Sequence, residues 1–319
     1  MTETELKTIQ KIFQIEVTGK LDALTQSAIK NYQLRLGSLP TGLLDSQTYH
    51  SILAKYGTPE IINSPEPEIV IETPIEIEEE FDPTFDKTTD LSEEYKMEIN
   101  EYFIKNTEYS NEKKLPKEYI FLHHTAGWND PYAVADNWER DKLGKIATHF
   151  IIGGINIKTG DSKHNGVVVQ CIPDNAWAYH LGSVNAYMHQ HSIGIEICNF
   201  GALTKKSGKY YTYTNQVVDE KYVVDLGDEF RGYRYWHRYT DKQVESTRLL
   251  INYIADKFNI NIDLGLKAKL QSGDDFNAFE YDKKAVEGRI KGILSHTSVR
   301  TDKLDVSPQS HLVEMIKNL

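Results

Sequence analysis

The segment 59–86 constrains the chain more than any other feature. Between positions 58 and 87 stand ten acidic residues and one basic one, against a formal net charge of -11 for all 319 residues. Pro65, Pro67, Pro74 and Pro83 interrupt the same stretch. A Pro/Glu-rich run repels itself and buries little apolar surface, so it reads as an extended linker. The alternation of Ile69, Ile71, Ile75 and Ile77 with acids leaves an edge strand or a docking segment as the other reading. The expected organisation is a small helical domain over 1–57, an acidic linker over 58–90 and a larger domain over 91–319.

Composition removes several classes. The hydrophobic share of 39% and the aromatic share of 11% suffice for packed cores. Cys171 and Cys198 are the two cysteines and give no disulfide framework, so nothing demands an oxidising compartment. The acidic balance argues against a nucleic-acid partner. No run of about 18 apolar residues exists, so no membrane span is expected. The first ten residues lack a basic region followed by an apolar one, so no signal peptide is expected.

The N-terminal part contains a repeat. Thr18-Gly-Lys-Leu-Asp-Ala-Leu-Thr25 recurs as Thr41-Gly-Leu-Leu-Asp-Ser-Gln-Thr48, 23 residues later. Each unit offers a turn glycine, an aspartate suited to cap a helix, and a helix beginning near its last threonine. Ala28, Ile29, Tyr32 and Leu36 share one face of the helix after the first unit, and Leu6, Ile9, Ile12 and Phe13 form an amphipathic helix before it. Three short helices around one core are expected. The doubled motif, with Tyr32-Gln33 in the middle helix, resembles the peptidoglycan-binding domain found at the ends of cell-wall hydrolases.

Beyond the linker the pattern alternates between strand and helix. Apolar strands are expected over 119–125, 148–153, 166–173, 192–198 and 293–295. Helices are expected over 132–141, 240–258 and 311–319, with Val134, Trp138 and Leu143 inward in the first. This describes an α/β domain, a mixed central sheet flanked by helices. The Tyr- and Gly-rich stretch 207–239 reads as an inserted hairpin or loop shaping a groove. Two stretches carry chemistry. Ile120-Phe-Leu-His-His-Thr125 is an apolar strand ending in histidine, and His296 precedes Asp305 by nine residues, with Lys303 two before the carboxylate. Three N/O ligands from distant segments, with a position left for water, are what a catalytic zinc site needs. Glu196 lies in the otherwise apolar strand Ser192-Ile-Gly-Ile-Glu-Ile197, a costly place for a carboxylate unless it is paired or functional.

The motifs Ile120-Phe-Leu-His-His-Thr-Ala126, Thr148-His-Phe-Ile-Ile-Gly-Gly154, Ala176-Trp-Ala-Tyr-His-Leu-Gly182, Ser192-Ile-Gly-Ile-Glu-Ile197 and His296…Lys303-Leu-Asp305 follow one another as in zinc-dependent N-acetylmuramoyl-L-alanine amidases. That family includes phage lysozyme-type amidases and is similar to peptidoglycan recognition proteins. The resemblance covers about 115–319. It implies a Zn2+ ion on His123, His296 and Asp305, with His124 on the opposite side of its strand. It makes Glu196 the general base, Lys303 the stabiliser of the oxyanion and His180 a substrate-binding residue at the cleft. Relatives place a tyrosine just before the equivalent of His149; Thr148 stands there in this chain. His149 reads as a packed strand histidine. Trp128, Trp177 and Tyr179 are candidates for the groove wall.

The implied activity is hydrolysis of the amide between N-acetylmuramic acid and L-alanine, with peptidoglycan as partner and a monomer as the expected state. A binding module joined to such a domain resembles a phage endolysin, held in the host cytoplasm until release to the wall or carried in the virion. A muropeptide-binding or virion structural protein without turnover, and a zinc endopeptidase of the stem peptide, are the alternatives.

Overall fold

The computed structural model describes residues 2–12, 17–21, 25–26, 29, 43–44, 48–49, 52–53, 97–111, 115–140, 145–273 and 275–319. The acidic linker, most of the expected second and third N-terminal helices, and Leu143 lie outside them. The chain divides into two compact units, Met1–Asp86 and Lys87–Leu319.

In the first unit, helix α1 (Glu3–Ile12) buries Leu6 and Ile9, which cluster with Ile29, Leu44 and Ile52. Its one fully buried polar residue, Gln10, holds the first copy of the motif. Gln10 donates through Nε2 to the hydroxyls of Thr18 and Thr25, each at 2.8 Å, and to the Lys20 carbonyl at 2.9 Å, while its Oε1 accepts from the Gly19 amide at 2.8 Å. Gly19 takes a positive φ of 68° and lies against the Glu3 and Lys7 side chains, so a β-carbon has neither the conformation nor the room.

The second unit is built on a six-stranded mixed sheet. Its strands are β1 (Ile99–Glu101), β2 (Tyr119–His124), β3 (Phe150–Ile152), β4 (Val168–Gln170), β5 (Ser192–Ile197) and β11 (Gly292–Ser295), in the order β1-β4-β3-β5-β2-β11. Pairing is parallel except between β3 and β4. Every residue of β2 is buried, as expected of a central parallel strand covered on both faces. Alternation then sorts its side chains. Ile120 and Leu122 join Ile193, Ile195 and Ile197 of β5 in the main core. Helix α4 (Asp241–Phe258) adds Leu250, Ile251 and Ile254 to that core, and α9 (Ser310–Lys317) adds Leu312, Val313 and Ile316. Tyr119 and Phe121 pack on the other face with Leu181, Val184 and Met188, near the short helix α3 (Ala186–Gln190). Helix α2 (Pro131–Arg140) borders that side, where Ala135 and Trp138 join Ile151 and Val169.

Helix α4 begins where the sequence indicates. Thr240 accepts from the Gln243 amide at 3.0 Å, and the Gln243 side chain accepts from the Thr240 amide at 3.0 Å, a reciprocal cap. Asn259 ends the helix in the left-handed conformation.

The stretch read as a hairpin or loop over 207–239 is larger than expected. It forms a second, antiparallel sheet of five strands: β6 (Ala202–Lys206), β7 (Lys209–Tyr211), β8 (Val217–Val218), β9 (Val223–Phe230) and β10 (Tyr233–His237), ordered β8-β7-β6-β10-β9. It starts at Ala202, not at position 207. Two-residue turns at Ser207-Gly208 and Arg231-Gly232, all four residues at positive φ, connect its hairpins. Between β10 and α9 run α5 (Leu266–Gln271), α6 (Asp275–Ala278), α7 (Lys283–Val286), β11 and α8 (His296–Val299), after α4.

Candidate active site

Sheet register assembles the site. In the β2–β5 pair His123 stands opposite Glu196, on the face away from the main core. In the β11–β2 pair Ser295 stands opposite Leu122, so the next residue, His296, leaves the strand end beside His123. Ser295 caps α8 through a reciprocal bond with Ser298, which turns the chain and places His296 in the first helical position. The loop then returns, and the Thr297 amide bonds the Asp305 carbonyl at 3.0 Å, closing the nine-residue excursion.

The three predicted ligands meet. His123 Nδ1 lies 3.1 Å from His296 Nδ1 and 3.2 Å from Asp305 Oδ2, and His296 Nδ1 lies 3.0 Å from the same carboxylate oxygen. All three residues are buried and form a group able to hold a metal ion. The triangle can be tested for fit. Tetrahedral bonds of ~2.0–2.1 Å put ligand atoms ~3.3–3.4 Å apart, close to what is found. The protonation states fit as well. Burial, helped by the neighbouring His296 and opposed by Asp305, holds His123 down at about 4, so it is neutral. Burial opposes ionisation of Asp305, but His296 and the hydrogen bonds from both histidines outweigh it and hold the carboxyl well below its ordinary range. A neutral His123 and an anionic Asp305 are the states in which these two side chains can serve a cation.

A chain of polar contacts runs inward from His123. Its Nε2 lies 3.0 Å from His180 Nδ1, and Nε2 is the donor when Nδ1 offers its lone pair to a cation. His180 Nε2 then donates to Ser192 Oγ at 2.7 Å, and Ser192 to the His189 carbonyl at 3.4 Å. His180, expected to bind substrate, lines the groove, and its two ring nitrogens have partners inside the protein, His123 Nε2 and Ser192 Oγ. Gly194 makes room for it, since a β-carbon there meets His180 Nδ1 at 3.0 Å and Thr148 Cγ2 at 2.9 Å. Ser192 was not among the predicted site residues. Its signal was its place on the same strand face as Gly194 and Glu196, two and four residues on.

Glu196 and Lys303 both line a groove of about 820 Å³ that contains the triangle. Among the described residues neither side chain makes a hydrogen bond or ion pair. Burial, with Asp305 adding to it and Lys303 opposing it, raises the Glu196 carboxyl well above its ordinary value. Tyr179, Trp138, Phe200, Tyr213 and Tyr233 give the groove an aromatic wall. Trp128 meets Phe200 edge-on and Trp177 meets Tyr179 edge-on, though neither tryptophan lines the groove itself. His124 points to the other face, 3.0 Å from the Tyr239 hydroxyl. His149 is a packed strand residue, bonded to the Ala176 carbonyl at 3.1 Å and the Gly194 amide at 3.3 Å.

Two imidazoles and a carboxylate at the floor of a groove, beside an unpaired carboxylate and an unpaired ammonium, form the donor set of a metal-assisted hydrolase. The family model for N-acetylmuramoyl-L-alanine amidase matches residues 113–305, more than half of the chain, and the chain belongs to that family. It is an enzyme of peptidoglycan hydrolysis. A second model, for a peptidoglycan binding domain, matches residues 3–52. Solved structures similar to the chain include that of PlyL, at 14% identity and TM-score 0.38, covering 69% of this chain and 98% of that one. The amidase LysC from Clostridium intestinale aligns at 18% identity and TM-score 0.37, covering 69% and 95%. No curated protein matches the chain.

Proposed function

We propose that the chain hydrolyses the amide between the lactyl group of N-acetylmuramic acid and L-alanine with a zinc ion held by His123 Nδ1, His296 Nδ1 and Asp305 Oδ2. The observation that carries this reading is the register that sets an unpaired Glu196 carboxylate beside the donor triangle. When bound, zinc supplies Lewis acidity to a water and to the scissile carbonyl. Glu196 takes the proton from the attacking water and returns it to the alanine nitrogen as the C–N bond breaks. Burial raises the Glu196 carboxyl above its ordinary value in the metal-free protein, which makes it a better proton acceptor than an exposed carboxylate. The Lys303 ammonium stabilises the oxyanion that forms on the carbonyl. The aromatic wall holds the substrate on the open side, and the domain at residues 3–52 holds the enzyme on the wall. We further read the acidic stretch as the tether between the two and the molecule as a monomer.

Digestion of purified sacculi by zinc-loaded and chelator-treated protein tests the proposal. Zinc-dependent release of N-terminal alanine, without new reducing sugar ends, is the expected result. Reducing ends would mean a glycosidase. A new amine on any other residue would mean an endopeptidase, and either product overturns the reading.

A further inference from the structure

The inserted antiparallel sheet does more than wall the groove. The two-residue turn that joins β9 to β10 is Arg231-Gly232, and Arg231 sits there at φ 53°, a left-handed conformation that side chains with a β-carbon disfavour. Asparagine or aspartate is the usual occupant of such a turn position. The arginine side chain is nearly buried and does not run out to solvent. Its Nη1 donates to the carbonyls of Thr301 at 2.8 Å, Arg300 at 3.3 Å and Lys303 at 3.4 Å, and its Nη2 to that of Thr297 at 3.2 Å. Nη2 also pairs with Glu280 at 2.8 Å. All four carbonyls belong to the single excursion between His296 and Asp305. A second clamp holds the loop from the other side. Arg300 donates to the Leu181 carbonyl at 3.2 Å, next to His180, and is itself held by both oxygens of Asp302 at 2.7 Å.

These contacts have one geometric consequence. The excursion carries two of the three metal-donor residues at its ends and Lys303 near its close, and past helix α8 its residues 300–305 have no helix or strand. A planar guanidinium spanning carbonyls at 297, 300, 301 and 303 fixes their spacing in a way that a single ammonium cannot. We propose that Arg231 is a positioning residue: the inserted sheet reaches across and sets the loop that aims Lys303 and Asp305 into the groove. The proposal rests on the zinc amidase reading of the site.

The test compares the full-length wild type with Arg231→Ala and Arg231→Lys. Hydrogen exchange of the metal-free proteins reads the loop directly, chelator competition reads zinc affinity, and turnover of a soluble muropeptide gives kcat and KM separately. In Arg231→Ala, exchange is expected to accelerate over 297–305 and not in β2 or β5. Zinc affinity is expected to fall about 10–100-fold, as for loss of other groups that orient ligands. A loop displaced by about 1 Å is expected to lower kcat ~100-fold while KM changes little, since the aromatic wall is intact. Arg231→Lys, with the charge but not the fork, is expected to fall between. A folded Arg231→Ala protein with wild-type exchange, zinc affinity and kcat overturns the proposal. If Arg231→Ala does not fold, Arg231→Lys decides: full kcat and zinc affinity overturn the proposal, a lower kcat at unchanged KM and melting temperature supports it, and failure of both variants to fold assigns Arg231 to stability and also overturns it. Absence of zinc-dependent turnover in the wild type would instead refute the zinc reading, while the exchange data would still report on Arg231.

Discussion

Replacing Glu196 by glutamine should move activity and stability in opposite directions. Glutamine keeps the shape of the side chain and removes its ability to carry a proton. General acid–base catalysis contributes ~10²–10⁴-fold, so kcat should fall by that factor, about 2.7–5.4 kcal/mol of barrier, with zinc affinity unchanged because Glu196 is not among the donors. Stability should rise. The native carboxyl has a pKa raised by burial from the ordinary 4.5, so the folded state holds the proton more tightly than the unfolded chain. Below pH 4.5 both states are protonated and the ionised-carboxylate penalty is absent. It grows as the pH rises through 4.5 and is complete above the native pKa, at about 1.36 kcal/mol for every tenfold difference in proton affinity between the folded and unfolded states. The difference in melting temperature between metal-free Glu196→Gln and wild type should therefore be smallest in acid and grow toward neutral pH. Calorimetry across that range, with turnover of a soluble muropeptide, provides the check. A variant that keeps more than about a tenth of wild-type kcat would exclude Glu196 as the proton carrier. A variant less stable than wild type at neutral pH would show that its carboxylate is a satisfied structural group.

Three further outcomes follow from the same geometry. Lys303→Ala should retain zinc and the fold but lose kcat by ~10²–10³-fold, the usual cost of one oxyanion donor; a fully active variant rejects the role. His180→Ala breaks the chain from His123 to Ser192 and should weaken zinc binding about 10–100-fold in chelator competition, whereas an unchanged affinity would show that the chain does not orient the ligand. The metal-free protein should lose stability in acid. Burial holds His189 at about 4 and His237 at about 3, and His149 well below its ordinary value, so these rings stay neutral in the folded state while the unfolded chain takes up protons below 6.5. Each such histidine contributes a slope of up to ~1.36 kcal/mol per pH unit below 6.5. Urea midpoints that stay flat from pH 6.5 to about 4.5 would contradict this.

What could be read from the sequence was what strand periodicity and residue type encode. The apolar run before His123, the isolated Glu196 and the spacing of His296 and Asp305 offered candidates, the resemblance to amidases assigned their roles, and the alternation of a strand set His123 and His124 on opposite faces. The Tyr- and Gly-rich composition of 207–239 signalled only an inserted hairpin or loop. The sheet itself was not signalled, because strands as short as Lys209–Tyr211 and Val217–Val218 offer no period to measure. Its first strand, Ala202–Lys206, keeps only Leu203 buried and shows no clear alternation.

The role of His180 and the reach of Arg231 were illegible for a different reason. Each depends on a meeting between segments far apart in the chain: 57 residues between His180 and His123, and about 70 between Arg231 and the carbonyls it binds. A histidine ahead of Leu181-Gly182 looks the same in the sequence whether or not it meets another ring, and the 3.0 Å approach to His123 Nε2 is visible only in the fold. Residue type therefore identified the groups that carry charge and protons. Register and packing determined which of them face the groove and which hold the others in place, and the latter set includes an arginine on an inserted turn that no spacing rule connects to a metal-ligand loop.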